Sequence, residues 1–521
     1  MRQQQKSLVL VSVDCLRADH CGFYGYSRPT TPFLDSLAAE SFVVPAAVVA
    51  GAPTYYSFPA ILASRMPLAL GRDVIGLAPG ENTLATALRE AGYATGAFCA
   101  ANPYISPHFG YDQGFEVFQD FHDFDRASTQ TAHEPRSSEQ RSPEKGRPGQ
   151  GSSEQRSPDP PGTRSRLNRS LQRAARAAGL GSLYNELYFQ YRLRVAAPAV
   201  QSMDALRKFP SAEVIVDHAI SWLASATGRP FFLWLHLMDP HSPYYPSPAA
   251  FRELFGREAS ASRARYLNEF WNRSDLTAAR LGRKKHLLVE LYDAGIRLVD
   301  SQVGRLVAHL KQSDLWDNCA FALTADHGEE FLDHGRRYHA PVSVHEEIVR
   351  VPLMLRVPAS AKREVPASPF SHLHLAPTLL EILNVPVPDS FRGASLWRNL
   401  QQGIPWDDPA ITECVYGCTN PFHVRDRMGA RLLSVRDARY KLVMRIETGA
   451  VEEIYDFQAD PREERPLPPA GQKSGAQKEI RTQLLQAAQK HMQQTAGARD
   501  ITARLQARLR DLRVELETNS R

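Results

Sequence analysis

Apolar and polar positions follow two distinct periods along this chain. Continuous apolar runs of six or seven residues occur at Ser7–Val13 (SLVLVSV), Phe231–Leu237 (FFLWLHL) and Cys319–Thr324 (CAFALT). Short uninterrupted runs of this kind suit strands buried on both faces of a parallel sheet. Between them the period lengthens to that of a helix. Thr31–Glu40 predicts a helix with Thr31 as its cap and Pro32 at the first helical position. Thr83–Ala91 predicts another, ended by Gly92 ahead of a strand at Tyr93–Phe98. Helices are expected over Ala212–Ala226, His286–Leu310 and Ala376–Leu383, and a strand over Val351–Val357. This alternation predicts an α/β fold with a doubly wound, mostly parallel sheet.

Two stretches break the pattern. Residues 126–165 are rich in Ser, Pro, Gly, Gln and Arg and contain the word SSEQRSP twice, at Ser137–Pro143 and Ser152–Pro158. Such a segment is too polar to bury a core and reads as a disordered insertion, followed by a helical insertion over 166–210. Beyond residue 400, Arg431–Arg445 and Glu452–Phe457 predict paired strands of a small antiparallel sheet. Gln477–Glu517 predicts a helix with Ile501, Leu505, Leu509, Leu512 and Leu516 on one face. The expected organisation is a principal unit over 1–400, a small-sheet subdomain over 401–470 and a terminal helix over 471–521.

Composition narrows the class. At 521 residues the chain exceeds what one core usually supports, and 43% apolar with 23% charged residues is ordinary for a globular protein. The formal charge of +5 is matched by the basic surplus within 133–176, so no nucleic-acid partner is expected. The first strand begins at Ser7, which leaves no room for a signal peptide, and no apolar run approaches the ~18 residues of a membrane span. The six cysteines are dispersed, unlike a disulfide framework. A cytoplasmic protein without an integral membrane segment is the expectation.

Candidate chemistry follows the strands. Ser7–Val13 delivers Asp14, Phe231–Leu237 delivers Asp239 and His241, and Cys319–Thr324 delivers Asp326 and His327. In an open parallel sheet the ligand site lies outside the carboxyl ends of the strands. Acids and imidazoles at three such ends predict one shared site.

Longer words carry a resemblance. VSVDCLRADHCGFYGYSRPTTPFLDSLA (Val11–Ala38) resembles the opening segment of sulfatase-like members of the alkaline phosphatase superfamily. FLWLHLMDPHSPY (Phe232–Tyr244), YDAGIRLVDSQVGRL (Tyr292–Leu306), TADHGEEFLDHG (Thr324–Gly335), VRVPLMLRVP (Val349–Pro358) and LAPTLLEIL (Leu375–Leu383) resemble its later segments. RYKLV and EEIYDFQADPREE (Arg439–Val443, Glu452–Glu464) are similar to its C-terminal subdomain. The resemblance implies an alkaline-phosphatase-like fold with a smaller antiparallel subdomain, and a nucleophile at a helix start beside one or two divalent metals.

True sulfatases oxidise a Cys or Ser within C/S-x-P-S-R to make that nucleophile. The matching window here is Thr54-Tyr55-Tyr56-Ser57-Phe58, so Thr54 takes the nucleophile position and Phe58 that of the arginine. A threonine cannot become the formylglycine aldehyde, which needs a primary carbon. Threonine here resembles the phosphodiesterase, phosphonate-hydrolase and phosphoethanolamine-transferase branches, whose unmodified alkoxide attacks phosphorus. A free hydroxyl is a poor nucleophile near neutral pH, so a metal or base must assist it.

The same match implies Asp14, Thr54, Asp326 and His327 as metal ligands, a hard oxygen set with one imidazole that favours Zn²⁺ or Mn²⁺. Cys15 stands where the family often has a second acid, which disfavours Ca²⁺. His241 takes the leaving-group position and His339 the basic position near the anion, with His345 competing for it. Asn102 is a candidate substrate contact, His236 reads as structural, and His374 replaces the Asp usual before the APT helix. The expected activity is metal-dependent hydrolysis of a small anionic phosphate or phosphonate ester, phosphodiesters favoured, through unmodified Thr54. The alternatives are a sulfuric-ester hydrolase and a non-catalytic binding protein on the same fold.

Overall fold

The computed structural model describes residues 5–72, 74–122, 163–193, 202–226, 228–468 and 475–497. Positions 126–162 of the expected insertion and the Ile501–Leu516 stripe lie outside the described residues. Among the described residues no helix is long and apolar enough to cross a membrane.

A seven-stranded sheet runs in the order Phe42–Val43, Leu353–Arg356, Cys319–Ala325, Ser7–Val13, Phe231–Leu237, Ala94–Cys99, Val117–Gln119. Only Leu353–Arg356 runs against the others. All seven residues of each of the three central strands are buried, which explains their unbroken apolar sequence. A separate four-stranded antiparallel sheet comprises Ala410–Val415, Arg431–Arg436, Tyr440–Arg445 and Val451–Asp456. The fold is therefore α/β, with a large, mostly parallel sheet and a small antiparallel one.

Several local expectations change. The Val351–Val357 strand is interrupted at Pro352: Arg350–Val351 pairs in a small three-stranded sheet, and Leu353–Arg356 in the large one. Proline cannot donate to a ladder, so the chain changes partners there. Arg431–Arg445 holds two strands rather than one. The long helix spans Ala278–Gln312, beginning earlier than its apolar stripe because Thr277 caps it. Thr31 precedes the helix Pro32–Ala38 but does not cap it. Asp300 of the long helix does so instead, accepting from Phe33 N (3.1 Å) and Leu34 N (2.9 Å). That tertiary cap has no local sequence signal. The helices Thr163–Ala177 and Gly181–Tyr191 fall in the region expected to be partly helical.

Candidate functional site

Strand register brings the acids together. Val13 pairs with Ala325 on one side and Leu237 on the other, so Asp14 and Asp326 leave adjacent strands at one level. Adjacent strands lie about 4.8 Å apart, close enough for both carboxylates to reach one point. Ligand atoms of Asp14, His236 and Asp326 indeed lie within 4.8 Å of one another. Thr54 opens a ten-residue helix, Thr54–Ala63, that is buried along its whole length. That helix start also presents the positive end of a helix dipole to the site.

Four of the expected residues meet around one atom. His327 Nε2 lies 3.1 Å from Thr54 Oγ1, 3.5 Å from Asp326 Oδ2 and 3.7 Å from Asp14 Oδ1. A tetrahedral centre with bonds of roughly 2.0–2.2 Å has edges of about 3.4 Å, close to these spacings. His327 Nδ1 donates to the Gly328 carbonyl (2.8 Å), which leaves the Nε2 lone pair facing the group. Asp326 Oδ2 is buried without a hydrogen-bond partner. An orphaned carboxylate oxygen, two further oxygens and a free imidazole nitrogen fit a divalent cation.

The charges agree with that fit. Burial pushes the Asp326 carboxyl upward, and the neighbouring Asp14 charge adds to the rise. Asp14 stays well below the usual carboxylate range despite its burial, because His241, His236 and His327 surround it. Two buried carboxylates this close resist sharing two negative charges, and a cation between them removes the conflict.

Two further histidines close the site. The His339 ring lies 4.5 Å from that of His327 and 5.0 Å from that of His241. His339 Nδ1 contacts Glu329 Oε1 at 3.1 Å and Cys15 Sγ at 3.3 Å. Glu329 is fully buried and also accepts from Tyr244 Oη (2.9 Å). Against its burial, His339 is the largest influence holding its carboxyl below the usual range. His241 Nδ1 donates to the Ser242 carbonyl, so Nε2 is the nitrogen left for a reactant. His345 lies elsewhere, stacked on His334 at 3.7 Å and bonded to Ser343 Oγ (2.7 Å).

Other residues take places that the sequence left open. Asn102 donates to Asp14 Oδ2 (2.9 Å). His236 has both a structural and a site-facing side: Nδ1 meets Ser12 Oγ at 3.1 Å, while Nε2 lies 3.5 Å from Asp14 Oδ2. Asp239 is bound by Arg207 Nη1 (2.7 Å) and Ala212 N (2.8 Å). His374 bonds the Ala394 carbonyl (2.9 Å) at a cavity of about 530 Å³ shared with Arg392 and Lys490. Phe58 is a core residue, packed on Trp234 and His236 with ring centres 5.5 and 5.1 Å away. Cys15 has a left-handed backbone (φ 61°), unusual for a residue with a side chain, and its Sγ donates to Asp14 Oδ1 (3.1 Å). Glu329 carries one sequence signal, an acid two places after the histidine of Asp-His-Gly.

A family model described as sulfatase matches residues 6–385, and one described as N-sulphoglucosamine sulphohydrolase, C-terminal, matches residues 335–490. The chain is 26% identical over 282 residues to arylsulfatase K of Canis lupus familiaris, covering 47% of this chain and 50% of that protein. It is 23% identical over 294 residues to the multifunctional alkaline phosphatase superfamily protein PehA of Trinickia caryophylli, covering 49% and 55%. The chain thus spans about half the length of the curated relatives it matches. The fold is similar to the crystal structure of the phosphonate monoester hydrolase of Agrobacterium radiobacter, with a TM-score of 0.57 and 18% identity over 94% of this chain and 96% of that one.

Proposed function

The chain belongs to the sulfatase family, within the alkaline phosphatase superfamily, and from that premise we propose that it is a metal-dependent hydrolase of phosphate or phosphonate esters, phosphodiesters favoured, with unmodified Thr54 as nucleophile. The observation that carries this reading is the placement of a secondary alcohol, Thr54 Oγ1, 3.1 Å from His327 Nε2 at the start of a buried helix. No aldehyde can form there. The neighbouring Phe58 supplies core packing rather than positive charge.

Asp14, Thr54, Asp326 and His327 would hold a Zn²⁺ or Mn²⁺ ion. Such a cation supplies the charge that ionises an alcohol near neutral pH and offsets negative charge in the transition state. Thr54 Oγ, its proton released to solvent, attacks phosphorus in line, forming an O–P bond while the bond to the leaving alcohol oxygen breaks. His241 delivers a proton from Nε2 to that oxygen. His339, steadied by Glu329, lies beside the transferred group. Water then attacks the phosphothreonine with His241 taking its proton; the O–P bond to Thr54 breaks, the acid product leaves, and the departing alkoxide regains a proton from solvent to restore the Thr54 hydroxyl.

A sulfuric ester is the second reading, favoured by the similarity to arylsulfatase K. Aryl sulfate, aryl phosphate and bis-aryl phosphate esters assayed with Zn²⁺ or Mn²⁺ separate the two. Fastest turnover of a phosphorus ester, with phosphate trapped on Thr54 by mass spectrometry, is expected. Sulfate turnover alone, surviving Thr54→Ala, would overturn the assignment.

A further inference from the structure

Tyr104 lies on the loop leaving the carboxyl end of the strand Ala94–Cys99, the sheet edge from which Asp14 and Asp326 emerge. Its backbone N–H donates to Asn102 Oδ1 (3.0 Å), and Asn102 Nδ2 donates to Asp14 (2.9 Å). Two hydrogen bonds therefore fix this residue relative to the candidate metal ligands. The Tyr104 ring packs edge-on to Tyr55, the residue after the nucleophile, with centres 4.9 Å apart. Its neighbour on the other side is Phe422, whose ring centre lies 5.5 Å away and which also contacts Phe109 at 5.6 Å.

Phe422 comes from a different part of the chain. It lies on the connection between Ala410–Val415 and Arg431–Arg436 of the small sheet. That connection is tied to the site at two points. Tyr55 Oη donates to the Cys418 carbonyl, and Gly417 N donates to the carbonyl of Pro341, two residues beyond His339 (3.0 Å). Phe422 N is itself held by Asn420 Oδ1 (3.2 Å). Yet Phe422 is 38% exposed, and the Tyr104 hydroxyl has no hydrogen-bond partner among the described residues. A positioned aromatic surface left open beside a polar site offers a face for another ring.

We infer that Tyr104 and Phe422 form an aromatic wall that receives a ring-bearing group of the ester, so that substrates with a flat apolar ring are preferred over those with a short alkyl group. The inference rests on the anionic-ester reading above and adds the substrate class. Stacking of one ring on such a wall strengthens binding by about tenfold.

The test is calorimetric binding of two probes with one headgroup, methylphosphonate and (1-naphthylmethyl)phosphonate, to the Zn²⁺-loaded full chain. The naphthyl probe is expected to bind about tenfold tighter to the parent protein. Phe422→Leu, which keeps apolar bulk without a ring, should bring the affinity ratio close to one, and Phe422→Trp should restore it. Equal affinity of both probes for the parent protein would overturn the wall while leaving the ester reading standing. A ratio that survives both Phe422→Leu and Tyr104→Leu would do the same. Failure of both probes to bind would remove the anion site itself and the inference with it.

Discussion

The Thr54 hydroxyl and the His327 imidazole meet at 3.1 Å across 273 residues of sequence. The contact joins a helix start to a strand end, and it puts the alcohol inside a group of two carboxylates and a free nitrogen. On the proposed reading the chemistry needs an oxygen at that point and not the methyl beside it. Thr54→Ser should retain kcat/KM within about tenfold, whereas Thr54→Ala should lose at least about a thousandfold, with unchanged circular dichroism.

Gly328 fixes the orientation of His327. Its N–H donates to the Ile348 carbonyl (2.8 Å), its carbonyl accepts from His327 Nδ1 (2.8 Å), and an added Cβ would overlap the Glu347 carbonyl oxygen. Only glycine permits this approach of two backbones. Gly328→Ala should weaken Zn²⁺ affinity by about 10–100-fold, the usual consequence of disturbing the groups that orient a metal ligand. Competition with a chromophoric chelator measures it, and parent-like affinity would contradict the assigned role.

Asp326 sets the pH dependence. Burial and the Asp14 charge raise its carboxyl in the metal-free protein above the unperturbed 3.8. Between that value and the raised one the folded state holds a proton that the unfolded state has lost. Stability of the metal-free protein at this group therefore falls as pH rises through the window. A bound cation displaces the proton and reverses the trend. The gain in Tm on adding Zn²⁺ should thus grow with pH across this window, and calorimetry in buffers of different ionisation enthalpy should register proton release. A gain that shrinks with pH would contradict the assignment.

Cys15 tests the preference among metals. Its Sγ lies 3.1 Å from Asp14 Oδ1, next to the proposed ligand set. Cys15→Asp adds a hard oxygen donor and should raise Ca²⁺ affinity relative to Zn²⁺ by about tenfold or more. Elemental analysis after equilibration with both ions gives the ratio. An unchanged ratio would show that the position does not reach the metal.

Asp239 is a structural acid despite its place after a strand. It is fully buried at the side chain and binds Arg207 Nη1 (2.7 Å), whose own side chain is nearly buried, and the N–H of Ala212 (2.8 Å). Asp239→Ala should destabilise the protein by about 1–3 kcal/mol, because it leaves the Ala212 N–H without its acceptor and the Arg207 guanidinium with Asp204 alone (3.3 Å). Chemical denaturation reads the loss, and the Zn²⁺ stoichiometry of the folded fraction should stay the same.

Much of this was legible in the residues alone. Strands buried on both faces must be continuously apolar, so SLVLVSV, FFLWLHL and CAFALT declared the sheet centre and the acids after it. A helix start in the Thr54 window was readable because that window and its neighbouring words keep their order along the chain. Choosing His339 over His345 was not, since six residues of loop can place either imidazole toward the strands. Asp300 capping the Pro32–Ala38 helix, Glu329 steadying His339 and Phe422 facing Tyr104 were equally hidden. Each is a contact between segments distant in sequence, and local pattern encodes only what a residue does with its near neighbours. Strand register and loop paths, which fix where side chains meet to within a few ångströms, are decided by the packing of the whole fold.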